Sequence, residues 1–249
     1  MNPPIVALLV ALQFLTRFPM PSPPSSETED FARATLAFPV VGLLIGLFLF
    51  LIQWLCEGLP FMVQAALVLL AWVWITGNLH LDGLADTADA WVGGHGNRER
   101  TLEIMKDPNS GPSAVSAVVL VLLIKFAAVV AILEINPWLL ILAPLIARTL
   151  LLPWFVLSPY VSGEGLATVF VRGLNPTHAW ISCGASALFV LMFFGFSSIF
   201  VMLLATGFMF AWRYFGQQRI GGFTGDTSGA MIEMIEALVL VLVLVFSVY

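Results

Sequence analysis

The sequence predicts an all-α fold: a polytopic integral membrane bundle of about seven transmembrane helices, with an interfacial helix at the N-terminus. Hydrophobic residues make up 60% of the 249 residues and charged residues only 10%, whereas soluble domains carry about 25% charged residues. A strand-like alternation of apolar and polar residues is absent, which argues against a β-barrel. We therefore expect residues 1–249 to form a single membrane domain.

Seven apolar stretches are long enough to cross a bilayer. Their predicted bounds are 36–56, 61–79, 113–133, 137–157, 178–198, 200–216 and 229–248. The run from 178 to 216 is too long for one crossing, so we expect it to split at Gly195-Phe196-Ser197-Ser198. The apolar segment from Ile5 to Leu15 has no basic residues before it and no cleavage site after it, which predicts an interfacial or buried helix instead of a signal peptide.

Basic residues test this topology. With seven spans, eight of the ten Lys and Arg residues fall on one side of the membrane: Arg17, Arg33, Arg98, Arg100, Lys106, Arg172, Arg213 and Arg219. The positive-inside rule makes this side cytoplasmic. The polar motifs at 78–111 and 219–229 lie on the same side, so we expect a site that faces the cytoplasm.

Three carboxylates follow the second span at helical spacing. Asp82, Asp86 and Asp89 stand at i, i+4 and i+7, which places them within an arc of roughly 60° on one helix face. Asn78 extends that face by one turn, whereas His80 lies about 200° from Asp82 on a helix. Like charges on one face repel each other, so a hard divalent cation such as Mg²⁺ or Mn²⁺ is the natural partner. The alternative is an ordinary solvated helix face.

Two further motifs contain groups that suit phosphates. In the segment from Gly93 to Gly111, the candidates are Lys106, Asp107, Ser110 and Gly111. Its alternative interpretation is a basic loop that fixes topology or touches anionic lipid.

The other motif, Gly221-Gly222-Phe223-Thr224-Gly225-Asp226, leads into the last span. A glycine-rich turn before a helix offers backbone N–H groups to a phosphate, here from Gly222, Thr224 and Gly225, and Asp226 adds a candidate metal ligand. The alternative is a capped helix start, with Asp226 or Thr227 as N-cap.

Charged residues also stand inside the predicted spans. Lys125 and Arg148 are functional candidates, because charges in a membrane are costly and usually paired. Arg148 is a candidate ion-pair partner of a substrate phosphate or of a glutamate. Glu233 and Glu236 are candidate ion-pair partners of Lys125, Arg213 or Arg219.

Together these motifs resemble the adenosylcobinamide-GDP ribazoletransferase family, also called cobalamin synthase. The resemblance rests on residues 79–89, on Glu103-Ile104-Met105-Lys106-Asp107 with Ser110-Gly111, and on residues 221–226. It also fits the chain length, the number of spans and the motif order. Members often carry an arginine where this chain has Asn109, so the second motif lacks one phosphate-binding cation.

The resemblance implies a transferase that joins adenosylcobinamide-GDP to α-ribazole, or to its 5′-phosphate, and releases GMP with Mg²⁺ as cofactor. Asp82, Asp86, Asp89 and Asp226 would hold the metal, and Asp82, Asp86 or His80 would accept the hydroxyl proton. The implied location is the bacterial inner membrane, with the lipid bilayer but no nucleic acid as partner. Self-association, or association with other nucleotide-loop assembly enzymes, is left open.

Three other classes of function compete with this one, of which a structural subunit of a larger membrane assembly would not need the acidic triplet. A phosphotransferase of the CDP-alcohol class also uses helical aspartates, but its Asp-Gly motif continues with Ala-Arg, whereas Gly83 is followed here by Leu84-Ala85-Asp86. A cation transporter would place its acidic residues near the midplane on broken helices. Clustering of the acidic residues with loop motifs on one side favours the enzyme.

Overall fold

The fold is that of a computed structural model, which describes residues 3–21, 28–162 and 166–247. These residues form α1 (Pro3–Leu15), α2 (Thr28–Leu36), α3 (Phe38–Leu55), α4 (Phe61–Thr76), α5 (Leu79–Gly93), α6 (Arg98–Ile104), α7 (Pro112–Ile135), α8 (Leu142–Leu157), α9 (Leu166–Val171), α10 (Pro176–Phe194), α11 (Ser197–Ile220) and α12 (Gly225–Ser247). A 3₁₀ turn over Pro137–Ile141 leads directly into α8.

The number of membrane spans agrees with the prediction. Six helical segments are long and apolar enough to cross a membrane, and α4 with α5 would make a seventh if the pair counts as one bent span. The hairpin between the fifth and sixth spans falls at Gly195, as expected. The fifth span ends at Phe194 instead of residue 198, because the chain turns at Gly195 with φ 76°.

A sharp elbow separates α4 from α5. The predicted second span ran to residue 79, but α4 ends at Thr76 and the axes of the two helices differ by 86°. Gly77 (φ 62°) and Asn78 (φ 61°) are both left-handed, a conformation that terminates an α-helix. The elbow turns α5 out of the direction of α4.

The core of the bundle surrounds α8, whose side chains are nearly all buried. Helices α3, α10 and α12 pack against it. Large apolar side chains remain exposed on the outer faces of α4, α7, α10 and α11. An exposed apolar surface around a buried core is what a lipid environment favours.

The predicted N-terminal helix is present as α1, and it packs on the bundle. Val6, Val10 and Leu15 are buried, and the ring of Phe14 stacks on Phe170 with centroids 4.1 Å apart. Just after α1, the N–H of Arg17 donates to the carbonyl of Ile75 at 2.7 Å. The end of α1 therefore lies against the elbow before α5.

Candidate active site

The predicted acidic helix exists as α5, and it crosses the start of α12 at close range. A Cβ atom on Gly83 would stand 2.7 Å from the carbonyl oxygen of Asp226, so only glycine permits this approach. Asp82 and Asp86 flank Gly83 along α5. Asp86 is repelled by Asp82, Asp226 and Asp89. Two motifs that are distant in sequence thus form one acidic region.

The carboxylates of the acidic region suit a metal ion by type but are not clustered around one. Among residues 3–21, 28–162 and 166–247, no group of three His, Cys, Asp or Glu side chains stands close enough to hold a metal ion. The donors themselves nevertheless suit a hard divalent cation, because Asp82 is exposed and Asp86 and Asp226 are half-buried carboxylates that repel each other. The residue types therefore fit Mg²⁺, although their side chains are not gathered around a common point.

Asp89 is engaged differently from the other two aspartates of α5. Its Oδ2 accepts a short hydrogen bond from the N–H of Gly111, and its Oδ1 accepts from the N–H of Ala114 at 3.0 Å. Both bonds come from the beginning of α7, so Asp89 acts as an N-terminal cap supplied from another helix. The N–H of Gly111, expected to bind phosphate, is occupied by this contact.

Asn78 stands at the N-cap of α5, one residue before the helix begins. Its place as N-cap, in a left-handed conformation, means that helical spacing does not fix the direction of its side chain, so its role as a further oxygen ligand stays a prediction. Asn78 is the exposed residue before α5, with φ 61°, and its carbonyl accepts from the N–H of Asp82 at 2.9 Å.

A cavity of about 270 Å³ opens beside the acidic region. His80, Asp82, Gly225 and Asp226 contribute its polar wall. The rest of the lining is mostly apolar and aromatic, and it includes Phe14, Leu15, Phe38, Leu151, Phe155 and Tyr160. This cavity combines carboxylates, the N-terminus of α12 and a buried histidine, so it is the candidate active site.

The turn before α12 forms a capping box. The N–H of Thr227 donates to Thr224 Oγ1 at 3.2 Å, and the N–H of Thr224 donates to Thr227 Oγ1 at 2.8 Å. The expected alternative, a capped helix start, is therefore present, but Thr224 is the N-cap where Asp226 or Thr227 was expected. Gly225 follows at the first helical position and lines the cavity.

Gly222 serves close packing of two loops. A Cβ atom on it would lie 2.1 Å from the carbonyl oxygen of Pro159. The neighbouring N–H of Phe223 donates to that same oxygen at 2.9 Å, and Val161 N–H donates to the Phe223 carbonyl at 2.9 Å. Sequence reasoning missed the role of this loop, which brings Tyr160 and Ser162 to the cavity.

The second motif lies next to the third. Thr224 Oγ1 contacts Met105 Sδ at 3.8 Å, and Arg98 Nε donates to the carbonyl of Ile220 at 2.8 Å. Lys106, Asp107 and Ser110 are exposed beyond Met105.

Asp107 closes a tight local turn. Its Oδ1 accepts from the backbone N–H of Asn109 at 3.0 Å and from the Asn109 amide at 2.8 Å. These hydrogen bonds hold the pKa of the Asp107 carboxyl below its usual value. Asn109 thus orders the loop through Asp107.

The charged residues inside the spans form one buried network. Lys125 Nζ contacts Glu233 Oε2 at 2.6 Å and also pairs closely with Glu236, while Arg148 pairs closely with the other oxygen of Glu236. The expected pairing of the glutamates with Lys125 is confirmed, and Arg148 takes a glutamate as its partner. The network ends at His80, whose Nδ1 lies 3.3 Å from Arg148 Nη2.

Fold and site together define a multi-pass membrane protein with an acidic cavity lined by residues of α5 and of the start of α12. The chain belongs to the cobalamin-5-phosphate synthase family, whose model matches residues 7–244. The resemblance inferred from the motifs is therefore confirmed.

Three relatives illustrate the match, each described as an adenosylcobinamide-GDP ribazoletransferase. The protein of Pseudomonas paraeruginosa is 49% identical over 97% of this chain and 98% of its own length. The protein of Pseudomonas fluorescens (strain ATCC BAA-477) is 47% identical over 95% of this chain and 98% of its own length. The protein of Pseudomonas putida (strain W619) is 48% identical over 91% of this chain and 93% of its own length. No solved structure matches the chain.

Proposed function

We propose that this protein joins adenosylcobinamide-GDP to α-ribazole, or to α-ribazole 5′-phosphate, and releases GMP. The products are adenosylcobalamin, or its 5′-phosphate, at the final stage of cobalamin nucleotide-loop assembly. The family and the printed function of relatives 47–49% identical support the assignment. The structural observation that carries it is the meeting of α5 with the start of α12 at a cavity lined by carboxylates.

We assign the divalent cation to Asp82, Asp86 and Asp226. When bound, Mg²⁺ would neutralise charge on the pyrophosphate of the GDP conjugate. Asp89 was expected as a fourth ligand, but its two amide hydrogen bonds favour a positioning role. The exposed side chain of Lys106 and the N-terminus of α12 at Gly225 are the candidate phosphate donors, with Ser110 beside Lys106.

The reaction needs an acceptor for one proton. The 3′-hydroxyl oxygen of the ribazole attacks the phosphorus nearer cobinamide and forms a new P–O bond. The P–O bond to the GMP phosphate breaks, and its electron pair leaves with GMP. The hydroxyl proton passes to a carboxylate of α5, either Asp82 or Asp86. Binding both substrates against fixed charges supplies most of the rate.

We further propose that the protein resides in the bacterial inner membrane with its cavity facing the cytoplasm. The six long apolar helices support multi-pass insertion. The eight cations expected on one side include Arg98 and Arg219, which contact the backbone at Ile220 and Trp91 beside the site. Substrates that carry phosphates would reach such a site from the cytoplasm.

The direct test uses detergent-purified protein with adenosylcobinamide-GDP and α-ribazole 5′-phosphate. Mass spectrometry should detect the joined product together with an equal amount of GMP, and EDTA should abolish both. Product that forms from a CDP-alcohol donor instead would favour the rival phosphotransferase class. Cation uptake into sealed vesicles, without turnover in detergent, would favour the transporter.

A further inference from the structure

His80 stands where the buried charge network meets the cavity. Its side chain is 3% exposed, and it lines the cavity beside Asp82 and Asp226. Its Nδ1 lies 3.3 Å from Arg148 Nη2. Its Nε2 is buried and has no hydrogen-bond partner within the part of the chain that the structure describes. A buried polar atom without a protein partner, on a residue that lines a cavity, points to a contact with a bound ligand.

The contact with Arg148 determines which ring nitrogen carries the proton. A guanidinium group has five N–H donors and no acceptor, so the imidazole nitrogen that faces it must accept. Nδ1 therefore presents its lone pair to Arg148. In a neutral imidazole the proton then resides on Nε2, because one nitrogen donates when the other accepts.

The charge balance of the network favours the same state. Lys125 and Arg148 supply two cations, and Glu233 and Glu236 supply two anions. All four side chains are at most 5% exposed. A third positive charge on His80 would face the Arg148 guanidinium across 3.3 Å, which is costly in this buried cluster.

We propose that His80 is held as the Nε2–H tautomer and donates that hydrogen to a phosphoryl oxygen of the bound substrate. This proposal rests on the proposed function, in which negative charge shifts among phosphate oxygens during transfer. His80 is then a catalytic hydrogen-bond donor, and Arg148 and Glu236 are positioning residues that fix its tautomer. Nε2 has no free lone pair in this state, so the hydroxyl proton goes to a carboxylate of α5.

Nitrogen-15 NMR of histidine-labelled protein in lipid tests the tautomer without any substrate. The chain has three histidines, and the signals lost in His80→Gln identify His80. We expect a protonated Nε2 and an unprotonated Nδ1. The Arg148→Lys variant keeps the positive charge but shortens the side chain, so it should produce a mixture of tautomers. A proton on Nδ1 in the wild-type protein would overturn the proposal, whether or not the protein is a transferase.

Substitutions separate donation from proton acceptance. Glutamine keeps an N–H donor but cannot act as a base, so His80→Gln should retain kcat within about tenfold. His80→Leu should lose about 10²- to 10³-fold, as removal of a transition-state hydrogen-bond donor does. His178→Gln, an exposed histidine on α10, is the control and should match wild type. Folded His80→Gln as inactive as His80→Leu would contradict the donor role.

Discussion

At the residue scale, Asp89 illustrates how a side chain expected to bind metal can serve structure. Both of its carboxylate oxygens accept backbone N–H groups at the start of α7, from Gly111 and Ala114. The first N–H groups of a helix have no hydrogen-bond partner within it. The Asp89 carboxylate accepts two of these N–H groups, and its negative charge interacts favourably with the positive end of the α7 dipole. Asp89 thereby fixes the distance between α5 and the loop that carries Lys106.

Replacing Asp89 by asparagine should therefore lower the stability of the fold more than it lowers the rate of the reaction. Asparagine has one acceptor oxygen, so one of the two N–H groups would face an amide that cannot accept. We expect a loss of about 1–3 kcal/mol in the free energy of unfolding. Thermal unfolding in detergent measures it. If the fold is as stable as wild type while Mg²⁺ dependence changes, Asp89 is a metal ligand after all.

The sequence predicted which residues share the face of α5, because helical spacing determines it. It did not predict the partner of Asp89, since the partner is backbone brought back by the loop from 94 to 111. The same applies to Thr224. Its reciprocal hydrogen bonds with Thr227 depend on where α12 begins, and the sequence allowed several starting residues.

At the element scale, the crossing of α5 and α12 assembles the site. Gly83 of α5 meets the backbone of Asp226, and a Cβ atom on Gly229 of α12 would be 3.2 Å from the Cα atom of His80. Small residues on both helices therefore allow their axes to approach closely. This approach brings Asp82 and Asp86 to Asp226.

The substitution Gly83→Ala should push the two helices apart. Its Cβ atom would stand 2.7 Å from the Asp226 carbonyl oxygen, a contact that backbone must relieve by moving. Displacement of about 1 Å at a reacting centre costs on the order of 10²-fold in rate. We expect that loss in kcat for GMP release, in protein that still inserts and folds.

The matched control is Gly207→Ala on α11. Among the described residues, a Cβ atom there would meet nothing within 4 Å apart from its chain neighbours and its own helix backbone. This variant should keep wild-type turnover. Equal activity of Gly83→Ala and Gly207→Ala would show that the close crossing is not needed for the reaction.

Sequence patterns predicted the helices of this region but not the elbow between them. The apolar run continues to residue 79, so hydropathy extended the second span beyond Thr76. Gly77-Asn78 is a pair that accepts left-handed conformations, and both residues adopt them. Hydropathy measures transfer into lipid, and it does not register a change in helix direction.

At the scale of the whole molecule, a buried ionic network connects four helices. Lys125 of α7, Arg148 of α8 and the two glutamates of α12 are paired with one another, and His80 of α5 extends the network to the cavity. Lys125 Nζ also lies 4.6 Å above the ring of Trp72. Buried charges of this kind specify which helices pack together, because an unpaired charge in an apolar core is costly.

The variant Lys125→Met should destabilise the protein strongly. Glu233 and Glu236 would then share only Arg148, which leaves one buried negative charge uncompensated. We expect a loss of about 3–5 kcal/mol. The double variant Lys125→Met/Glu233→Gln restores charge balance and should recover most of that loss.

Unfolding in denaturant, followed in matched detergent, measures both variants. A double variant that is no more stable than Lys125→Met would show that packing of the lysine, and not charge balance, stabilises the core.

The sequence predicts that a buried ionic network exists, but it predicts only in part which charged residues pair with each other. Charged residues in apolar spans indicate partners nearby. Arg213 and Arg219 were equally suitable by sequence, yet Arg213 donates to the carbonyl of Leu157 at 2.8 and 3.0 Å, and Arg219 donates to that of Trp91. Which helices meet is a property of the tertiary arrangement, and a single sequence does not contain it directly.

The proposed function rests on a metal-dependent transferase centre at the carboxylates of α5. The most direct measurement is Mg²⁺- and acceptor-dependent GMP release by wild type, Asp82→Asn and Glu57→Gln, where Glu57 is an exposed carboxylate outside the site. We expect release by wild type and Glu57→Gln only when both Mg²⁺ and acceptor are present, and none by folded Asp82→Asn. Undiminished release by Asp82→Asn, with the same Mg²⁺ dependence as wild type, would contradict it.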